Sequence, residues 1–340
     1  MSGTSLDGID LAACTFNNSY AFELLHFRGI AYSSEWKLKL EKAPYLNGIE
    51  LRLLEIEYSE FIADLVKDFL KDIDLRADFI ACHGHTIFHQ PAKKLTYQLL
   101  DGSIVAGRTQ TTTVCDFRSG DMALGGQGAP LVPIGDKILF GTYAACLNLG
   151  GIANLSYNQN GSRLAYDISP ANLLLNKLAG REGLEYDKEG ILASKGKIIG
   201  SLLETLNDLE YYTMSPPKSL GREWLEEYVF PMLTGESTAD LLATAVEHIA
   251  SQIATALNET GVKGKVLATG GGAHNTFLME KISGKSKSVI EIPSEEIIDA
   301  KEAIVFALLG KLRLDNNINT LSSVTGASRD TCSGAVYLGC

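Results

Sequence analysis

The chain has 340 residues and a formal net charge of −11, with 45% hydrophobic and 21% charged residues. This length predicts two domains rather than one core. The acidic balance argues against nucleic acid or an anionic membrane as the main partner, because both bind proteins through a basic surface. The acidic charge does not argue against phosphate-containing ligands, since local N–H groups and a metal ion can hold them.

Strands and helices alternate along the sequence, which predicts an α/β fold. In chain order, the expected elements are strands over 11–16 and 20–28, a long amphipathic helix over 49–73, strands over 78–83, 111–117, 143–149 and 164–166, helices from about 171 and over 239–257, a strand over 265–268 and a helix over 301–312. A domain boundary is expected near 116–121.

The composition of the first residues and the pattern of cysteines indicate the cellular compartment. The first residues are polar, without a basic and then apolar leader, and no apolar run reaches membrane-spanning length. The six cysteines form no C-x-x-C pair, and several lie in apolar, strand-like runs. Buried reduced thiols are the simplest interpretation, which favours a cytoplasmic protein.

Three glycine-rich turns lie far apart in the chain, at 1–10 (MSGTSLDGID), 148–154 (NLGGIAN) and 269–275 (TGGGAHN). Glycine lets the backbone approach a ligand closely, so that N–H groups can hold phosphate oxygens. Each turn alone also has the composition of an ordinary turn or strand corner. Together, and with two of them following predicted strands, they predict two lobes that close on one nucleotide.

The residues of these turns are the candidate nucleotide ligands. They are Ser2, Gly3, Thr4, Ser5, Asp7 and Gly8 in the first turn, Asn148, Gly150, Gly151 and Asn154 in the second, and Gly270, Gly271, Gly272 and Asn275 in the third. Asp7 and Asp10 are the candidate ligands of Mg²⁺, directly or through water, because carboxylates and phosphates share this ion in phosphoryl transfer.

Histidines and acids supply further candidates. His83 and His85, two residues apart at a strand end, are followed by His89; they suit a metal site, a polar substrate wall or hydrogen-bonded structural histidines. The stretch 116–133 combines Arg118 with two acids and several glycines, which favours a loop facing the substrate over a salt-bridged hinge.

Two acids and one basic segment remain ambiguous in the sequence. Asp167 follows a strand, where a general base would lie, but it also suits the N-cap of the next helix. The segment 218–223 (KSLGRE) is interpreted as a solvated basic and acidic patch rather than a ligand contact. Glu302 either is buried near the ligand site or lies on the solvent-exposed face of its helix.

With these motifs in hand, the chain resembles the anhydro-N-acetylmuramic acid kinase family of the sugar-kinase, heat-shock and actin ATPase superfamily. The resemblance runs from Met1 to about Ala327. It rests on the three turns and on His83-Gly-x-Thr-x-x-His89, Asp116-Phe-Arg, Asp121 with 125–133 (GGQGAPLVP), Asp167 with Pro170 and Asn172, Lys218-Ser-x-Gly-Arg-Glu223, and Glu302-Ala ahead of Thr325-Gly-Ala.

The resemblance implies an α/β fold of two actin-like (ribonuclease H-like) domains, with mixed sheets flanked by helices and an interdomain cleft for ATP and substrate. The first domain would comprise 1–117 plus 312–340, and the second 118–311. The implied enzyme opens 1,6-anhydro-N-acetylmuramic acid with water and phosphorylates O6, using ATP and Mg²⁺, in peptidoglycan recycling. Such kinases are cytoplasmic and dimeric as a family.

Residue by residue, the resemblance makes Asp167 the catalytic base. The residues that would bind the sugar are Thr86, His89, Arg118, Asp121, Asn172 and Glu302.

Four departures from the family pattern bear on this assignment. The short apolar strand that usually precedes the first turn is not in this sequence, which would remove a sheet partner from the first domain. His85 replaces glutamine, Gly120 replaces arginine, and 168–171 (ISPA) replaces a glycine-richer turn. Two alternatives therefore stay open: a metal-dependent hydrolase using His83, His85 and His89 with Asp121 or Asp167, and a nucleotide or sugar sensor without catalysis.

Overall fold

Strands and helices alternate along the chain in a computed structural model that describes residues 1–3 and 6–339. The strands are β1 (Gly8–Phe16), β2 (Phe22–Ala31), β3 (Phe79–Ala81), β4 (His85–Gln90), β5 (Leu95–Leu99), β6 (Thr112–Cys115), β7 (Ala145–Leu149), β8 (Ile152–Gln159), β9 (Ser162–Pro170), β10 (Lys265–Thr269), β11 (Val289–Glu291) and β12 (Ala335–Tyr337). The predicted roles of Thr4 and Ser5 lie outside the described residues.

The α-helices include two of more than 20 residues, which carry much of the packing. They are α1 (Ser34–Lys42), α2 (Gly48–Asp72), α3 (Gly102–Thr109), α4 (Ser119–Ala123), α5 (Val132–Leu139), α6 (Asn172–Ala179), α7 (Gly200–Asn207), α8 (Arg222–Trp224), α9 (Thr238–Glu259), α10 (Thr276–Lys285), α11 (Glu295–Leu314) and α12 (Ser322–Thr325). No helix within the described part of the chain is long and apolar enough to cross a bilayer.

The chain folds into two compact units. Unit 1 comprises Met1–Leu139 and Ala300–Cys340, and unit 2 comprises Phe140–Asp299. Unit 2 is therefore one continuous stretch inserted in the sequence of unit 1. The domain limits expected from the sequence, at 117/118 and 311/312, stay predictions.

Unit 1 contains two hairpins and a three-stranded sheet. β1 and β2 pair antiparallel from Gly8↔Ala31 to Phe16↔Phe22, and their turn is organised by the Asn17 side chain, which accepts from the N–H groups of Ser19 and Ala21. β4 and β5 form the second hairpin, and the sheet has the order β12-β6-β3.

Helix α2 covers the core of unit 1. It begins with a capping box, in which Asn47 accepts from the N–H of Glu50 and the Glu50 side chain accepts from the N–H of Asn47. Its apolar face buries Leu54, Tyr58 and other residues at helical spacing, as the sequence predicted.

The N-terminus pairs with β1 beside a cavity. The Met1 amine donates to the carbonyl of Asp10 (2.7 Å), and the Asp10 N–H donates to the carbonyl of Met1 (2.8 Å). Among the described strands, β1 pairs with β2 and β3 pairs with β6, each on one side. A cavity of about 240 Å³ is lined by the residues of both β1 and β3.

Unit 2 is built on a mixed sheet with the order β11-β10-β7-β8-β9. β7, β10 and β11 run parallel, whereas β8 is antiparallel to β7 and β9. Buried apolar residues of the sheet pack against α6, α9 and α10 in one core. The predicted α/β fold, with mixed sheets flanked by helices, is confirmed.

Candidate active site

Four polar residues form a row across the sheet of unit 2. Thr269 on β10 pairs with Asn148 on β7, Asn148 pairs with Asn154 on β8, and Asn154 pairs with Asp167 on β9. Directly paired residues on neighbouring strands present their side chains on the same face. The fold thus brings the second and third glycine turns and the predicted base to the same end of one sheet.

The two glycine turns of unit 2 contact each other. Gly150 and Gly151 form the turn between β7 and β8, and Gly270 follows β10 with a φ of +84°. A Cβ on Gly270 would lie 2.7 Å from Asn148 Oδ1 and 2.9 Å from the carbonyl oxygen of Leu149. Only glycine suits both the backbone conformation and this close approach.

A cavity of about 770 Å³ adjoins the third turn within unit 2. Its size is in the range of small-molecule pockets, which combine apolar walls with a few polar groups. The lining residues include Asn172, Leu175, Tyr186, Asp187, Lys188, Glu189, Gly271, His274, Asn275, Ile292 and Pro293. This mixture suits a planar base together with a polyhydroxyl group.

Asn275 and Asn172 lie at this cavity. Asn275 is the N-cap of α10, and its Oδ1 accepts from the N–H of Leu278 (3.0 Å). The N–H of Asn172 donates to the carbonyl of Gly150 (3.1 Å), and its Nδ2 donates to that of Leu149 (3.2 Å). Asn172 therefore supports the second glycine turn; its predicted contact with the sugar stays a prediction.

Asp167 is held at three points. Its N–H donates to the carbonyl of Lys218 (3.1 Å), its carbonyl accepts from Tyr211 Oη (2.6 Å), and its Oδ2 accepts from the N–H of Leu220 (2.9 Å). Oδ1 has no hydrogen-bond partner among the described residues.

The surroundings of Asp167 favour a base over a cap. Burial raises the pKa of the Asp167 carboxyl, opposed by the hydrogen bond from the Leu220 N–H. The N-cap of α6 is Ala171, and no side chain caps that helix. The N-cap interpretation of Asp167 is therefore wrong.

In unit 1, Arg118 is fixed by two acceptors. Its Nη1 donates to the carbonyl of Gly128 (2.7 Å), and its Nε donates to His83 Nε2 (3.0 Å). His83 Nδ1 lies 2.9 Å from the carbonyl of Gly84, which assigns its proton to Nδ1. Burial and the charge of Arg118 hold the pKa of His83 well below its usual value. Burial lowers the pKa of Arg118 to about 10, opposed by Glu302.

Glu302 lies on an accessible position of α11, next to the buried ion pair between Lys301 and Asp136 (2.8 Å). Desolvation by the surrounding protein raises the pKa of Glu302, whereas Lys301, the N-terminal amine and Arg118 lower it. Arg118 also lowers the pKa of His89, after burial, so the charge of Arg118 reaches several predicted sugar ligands.

Asp121 is fully buried and supports a loop. Its Oδ1 accepts from Thr325 Oγ1 (2.7 Å), and its Oδ2 accepts from the N–H of Gly128 (2.8 Å). A Cβ on Gly126 would lie 2.2 Å from Oδ2, so glycine is needed for this close approach. These contacts hold the loop 125–128 in place, and a direct contact of Asp121 with the sugar stays a prediction.

The first glycine turn begins with an engaged serine. Ser2 is buried, and its Oγ lies 2.7 Å from Tyr32 Oη and 2.9 Å from His85 Nδ1. Asp7 is exposed and accepts from the N–H of Gly8, the first residue of β1. Gly3 is half-buried.

The three histidines have separate surroundings. His83 contacts Arg118, His85 contacts Ser2, and His89 Nδ1 lies 3.2 Å from Thr96 Oγ1, while the neighbouring Thr86 accepts weakly from Gln98 (3.4 Å). Within residues 1–3 and 6–339, no group of three His, Cys, Asp or Glu side chains could hold a metal ion. His83, His85 and His89 thus have different partners and do not form the shared ligand set that the metal-dependent hydrolase would use.

Tyr211 and Leu220 are site residues that the sequence did not single out. The composition of the neighbouring motif 218–223 favours a solvated patch. In the structure Lys218 is half-buried, with its Nζ 4.6 Å from the centroid of the Tyr211 ring. The aromatic pair 211–212 just before this motif was the available signal.

Comparison with known proteins agrees with the motifs over nearly the whole chain. The family model described as anhydro-N-acetylmuramic acid kinase matches residues 1–339. Two proteins of that name, from Vibrio cholerae and Aliivibrio fischeri, are each 35% identical to this chain over 99% of its length, and cover 96% and 97% of their own. Among solved structures, a hexokinase from Schistosoma mansoni complexed with glucose covers 90% of this chain and 84% of its own, at 10% identity and a TM-score of 0.36. The chain belongs to the anhydro-N-acetylmuramic acid kinase family.

Proposed function

We propose that this protein is an ATP-dependent kinase of 1,6-anhydro-N-acetylmuramic acid, with N-acetylmuramic acid 6-phosphate and ADP as products. Membership of the family over residues 1–339 is the observation that carries the proposal. The row of Thr269, Asn148, Asn154 and Asp167 supports it, because it places the proposed phosphate-binding turns and the proposed base at one end of one sheet.

In the proposed reaction, water attacks the anomeric carbon of the sugar. Asp167 takes a proton from this water, the bond from the anomeric carbon to O6 breaks, and O6 forms its new bond to the γ-phosphorus as ADP leaves. The water oxygen ends on the anomeric carbon. An inverting glycosidase uses one carboxylate in the same way. Burial raises the pKa of Asp167, which makes it a stronger base.

The nucleotide would use the glycine turns and the cavity of unit 2. The cavity of about 770 Å³ suits the adenosine portion, with Gly271 and Asn275 on its wall. N–H groups of the turn at Gly150 and Gly151 would bind phosphate oxygens. Asn172 holds the turn at Gly150 through its bonds to Leu149 and Gly150.

Asp7 and Asp10, at the start of unit 1, are the proposed ligands of Mg²⁺. Their carboxylate oxygens fit this ion, which usually takes one or two protein carboxylates and completes its shell with phosphates and water. Mg²⁺ would neutralise charge on the transferred phosphoryl group.

The sugar would be bound through Thr86, His89, Arg118 and Glu302 of unit 1 and through Asn172 of unit 2. Asp121 supports the loop 125–128, whose Gly128 carbonyl accepts from Arg118. Arg118 is oriented by His83 and Gly128, and would provide the positive charge for the lactyl carboxylate. The proposal includes a cytoplasmic homodimer that acts in peptidoglycan recycling.

The test identifies the product by mass after reaction of ATP, Mg²⁺ and the anhydro sugar in ¹⁸O-labelled water. We expect one solvent oxygen and one phosphate per product molecule. Asp167→Asn should abolish turnover while ATP binding, measured by calorimetry, persists. The control Asp68→Asn, at an exposed position of α2, should react like the wild type.

Other outcomes overturn the proposal in different ways. Phosphorylated sugar without solvent oxygen would contradict water attack. Turnover by Asp167→Asn would remove Asp167 from the mechanism. Nucleotide binding without any single-turnover consumption of ATP would favour the sensor that lacks catalysis.

A further inference from the structure

The backbone at Asp167 depends on contacts from outside the sheet. β9 is an edge strand, because the sheet order ends β8-β9. On its inner side, the register shifts between the pairs Ala153↔Ser169 and Asn154↔Asp167, which leaves Ile168 as an extra residue immediately after Asp167. Such a bulge interrupts the ladder and redirects a side chain. The sheet alone therefore fixes Asp167 weakly.

The segment 211–220, which we call the clip, covers the outer edge of β9 at this point. The carbonyl of Lys218 accepts from the Asp167 N–H, Tyr211 Oη donates to the Asp167 carbonyl, and the Leu220 N–H donates to Oδ2. Both backbone groups and one carboxylate oxygen of Asp167 are thus held by one segment. Oδ1 is left to accept a proton.

The clip is fastened to itself and to the core. Lys218 Nζ donates to the carbonyl of Tyr211 (3.0 Å) and lies over its ring. The Tyr211 side chain is buried and its ring lies 5.5 Å from that of Trp224. Because the Tyr211 side chain is held in this way, its hydroxyl can keep the Asp167 carbonyl in one position.

We propose that Tyr211 is a positioning residue for the catalytic base: its hydrogen bond to the Asp167 carbonyl, made rigid by Lys218, keeps Oδ2 on the Leu220 N–H and Oδ1 directed toward the water. The inference rests on the proposed function of Asp167. It adds that the geometry of the base comes from a segment more than 40 residues further along the chain.

The test compares Tyr211→Phe with Tyr212→Phe. Both changes remove one hydroxyl from the same aromatic cluster, but Tyr212 Oη contacts His248 Nε2 (2.8 Å) and not Asp167. Tyr211→Phe should lower kcat by up to about 100-fold, since a misplacement of a reacting group by about 1 Å can cost that much. The KM values for ATP and sugar should stay the same. Tyr212→Phe should keep kcat within about twofold, although it loses a buried hydrogen bond.

The pH profile separates positioning from general destabilisation. The Leu220 N–H lowers the pKa of Asp167. If Tyr211→Phe lets the carboxylate leave this donor, the pKa rises and the acid limb of the kcat profile moves to higher pH. If the Tyr211 hydroxyl only stabilises the fold, Tyr211→Phe should lower Tm and leave this limb in place.

Lys218 offers a second variant in case Tyr211→Phe does not fold. Lys218→Met removes the cation that holds Tyr211 and should reproduce the loss of kcat, whereas Lys218→Arg should restore much of it. If Asp167→Asn is inactive but Tyr211→Phe and Lys218→Met keep wild-type kcat and pH limb, the positioning role is wrong. If Asp167→Asn is active, the proposed base itself is wrong, whatever the clip variants do.

Discussion

Thr325→Val tests how the buried Asp121 carboxylate is stabilised. The change keeps the shape of the side chain and removes one hydroxyl. In the wild type, that hydroxyl donates to Asp121 Oδ1 at 2.7 Å, and the N–H of Gly128 serves Oδ2. Asp121 is 0% exposed, so water does not replace the lost donor in the native structure.

The expected cost follows from the charge of the acceptor. A hydrogen bond to an ionised group contributes about 1.5–3 kcal/mol, and a buried acceptor without its donor keeps its full desolvation penalty. The extra methyl group of valine recovers about 0.8 kcal/mol at most. We therefore expect Thr325→Val to lower the free energy of unfolding by about 1–3 kcal/mol.

Urea unfolding at pH 7 measures this difference, and calorimetry should show a lower Tm. For a domain of this size, each kcal/mol corresponds to about 2–4 °C. The matched control is Thr15→Val, at an exposed position of β1 in the same unit, which should change stability by less than about 0.5 kcal/mol. A Thr325→Val protein as stable as this control would refute the account of Asp121 as a carboxylate that depends on its two donors.

Three further expectations concern charge and pH. Because burial raises the pKa of Asp167, the acid limb of kcat/KM should lie above the ordinary aspartate value of about 3.9, with activity lost as pH falls through it; a limb at or below that value would contradict the burial argument. Arg118→Ala should raise the KM for the sugar at least about tenfold without changing the KM for ATP. Arg118→Lys should restore only part of the affinity for the sugar, since lysine lacks the guanidinium fork that His83 and Gly128 hold. An unchanged KM for the sugar would assign Arg118 to a structural role. Burial lowers the pKa of His85 to about 4 and that of His248 to about 3. The stability that these neutral histidines contribute is therefore complete above the unfolded pKa of about 6.5, and it falls as the pH drops below that value. His248→Gln should make the free energy of unfolding in urea depend less on pH in this range, and an unchanged pH dependence would contradict the argument.

The sequence predicted the elements whose local pattern is strong. The helix expected over 49–73 is α2, Gly48–Asp72, because its apolar spacing and its capping residues agree. The helix expected from 301 begins at Glu295, since its acidic first turn favours a helix N-terminus but carries no apolar periodicity. Residues 152–154, which the sequence predicts as part of a glycine-rich turn, belong to β8, because Gly150 and Gly151 alone suffice for the turn.

Within the candidate site, the sequence indicates candidate residues through short motifs but does not indicate the residues that support them. The glycine turns and Asp167 carry their chemistry in short local patterns. The bond from Tyr211 to Asp167 joins residues 44 positions apart, and that from Thr325 to Asp121 joins residues 204 apart. No periodicity or local motif encodes such contacts, since they exist only after the tertiary structure has formed.

The bond between Thr325 and Asp121 also orders events during synthesis. A ribosome adding about 5–20 residues per second needs roughly 10–40 s to travel the 204 positions between the two partners. Unit 2 is encoded as one uninterrupted stretch within this interval, so it can mature first. The loop at 125–128 is supported by the hydrogen bond between Thr325 and Asp121 only after the last segment has been translated. A polypeptide released early would lack this bond.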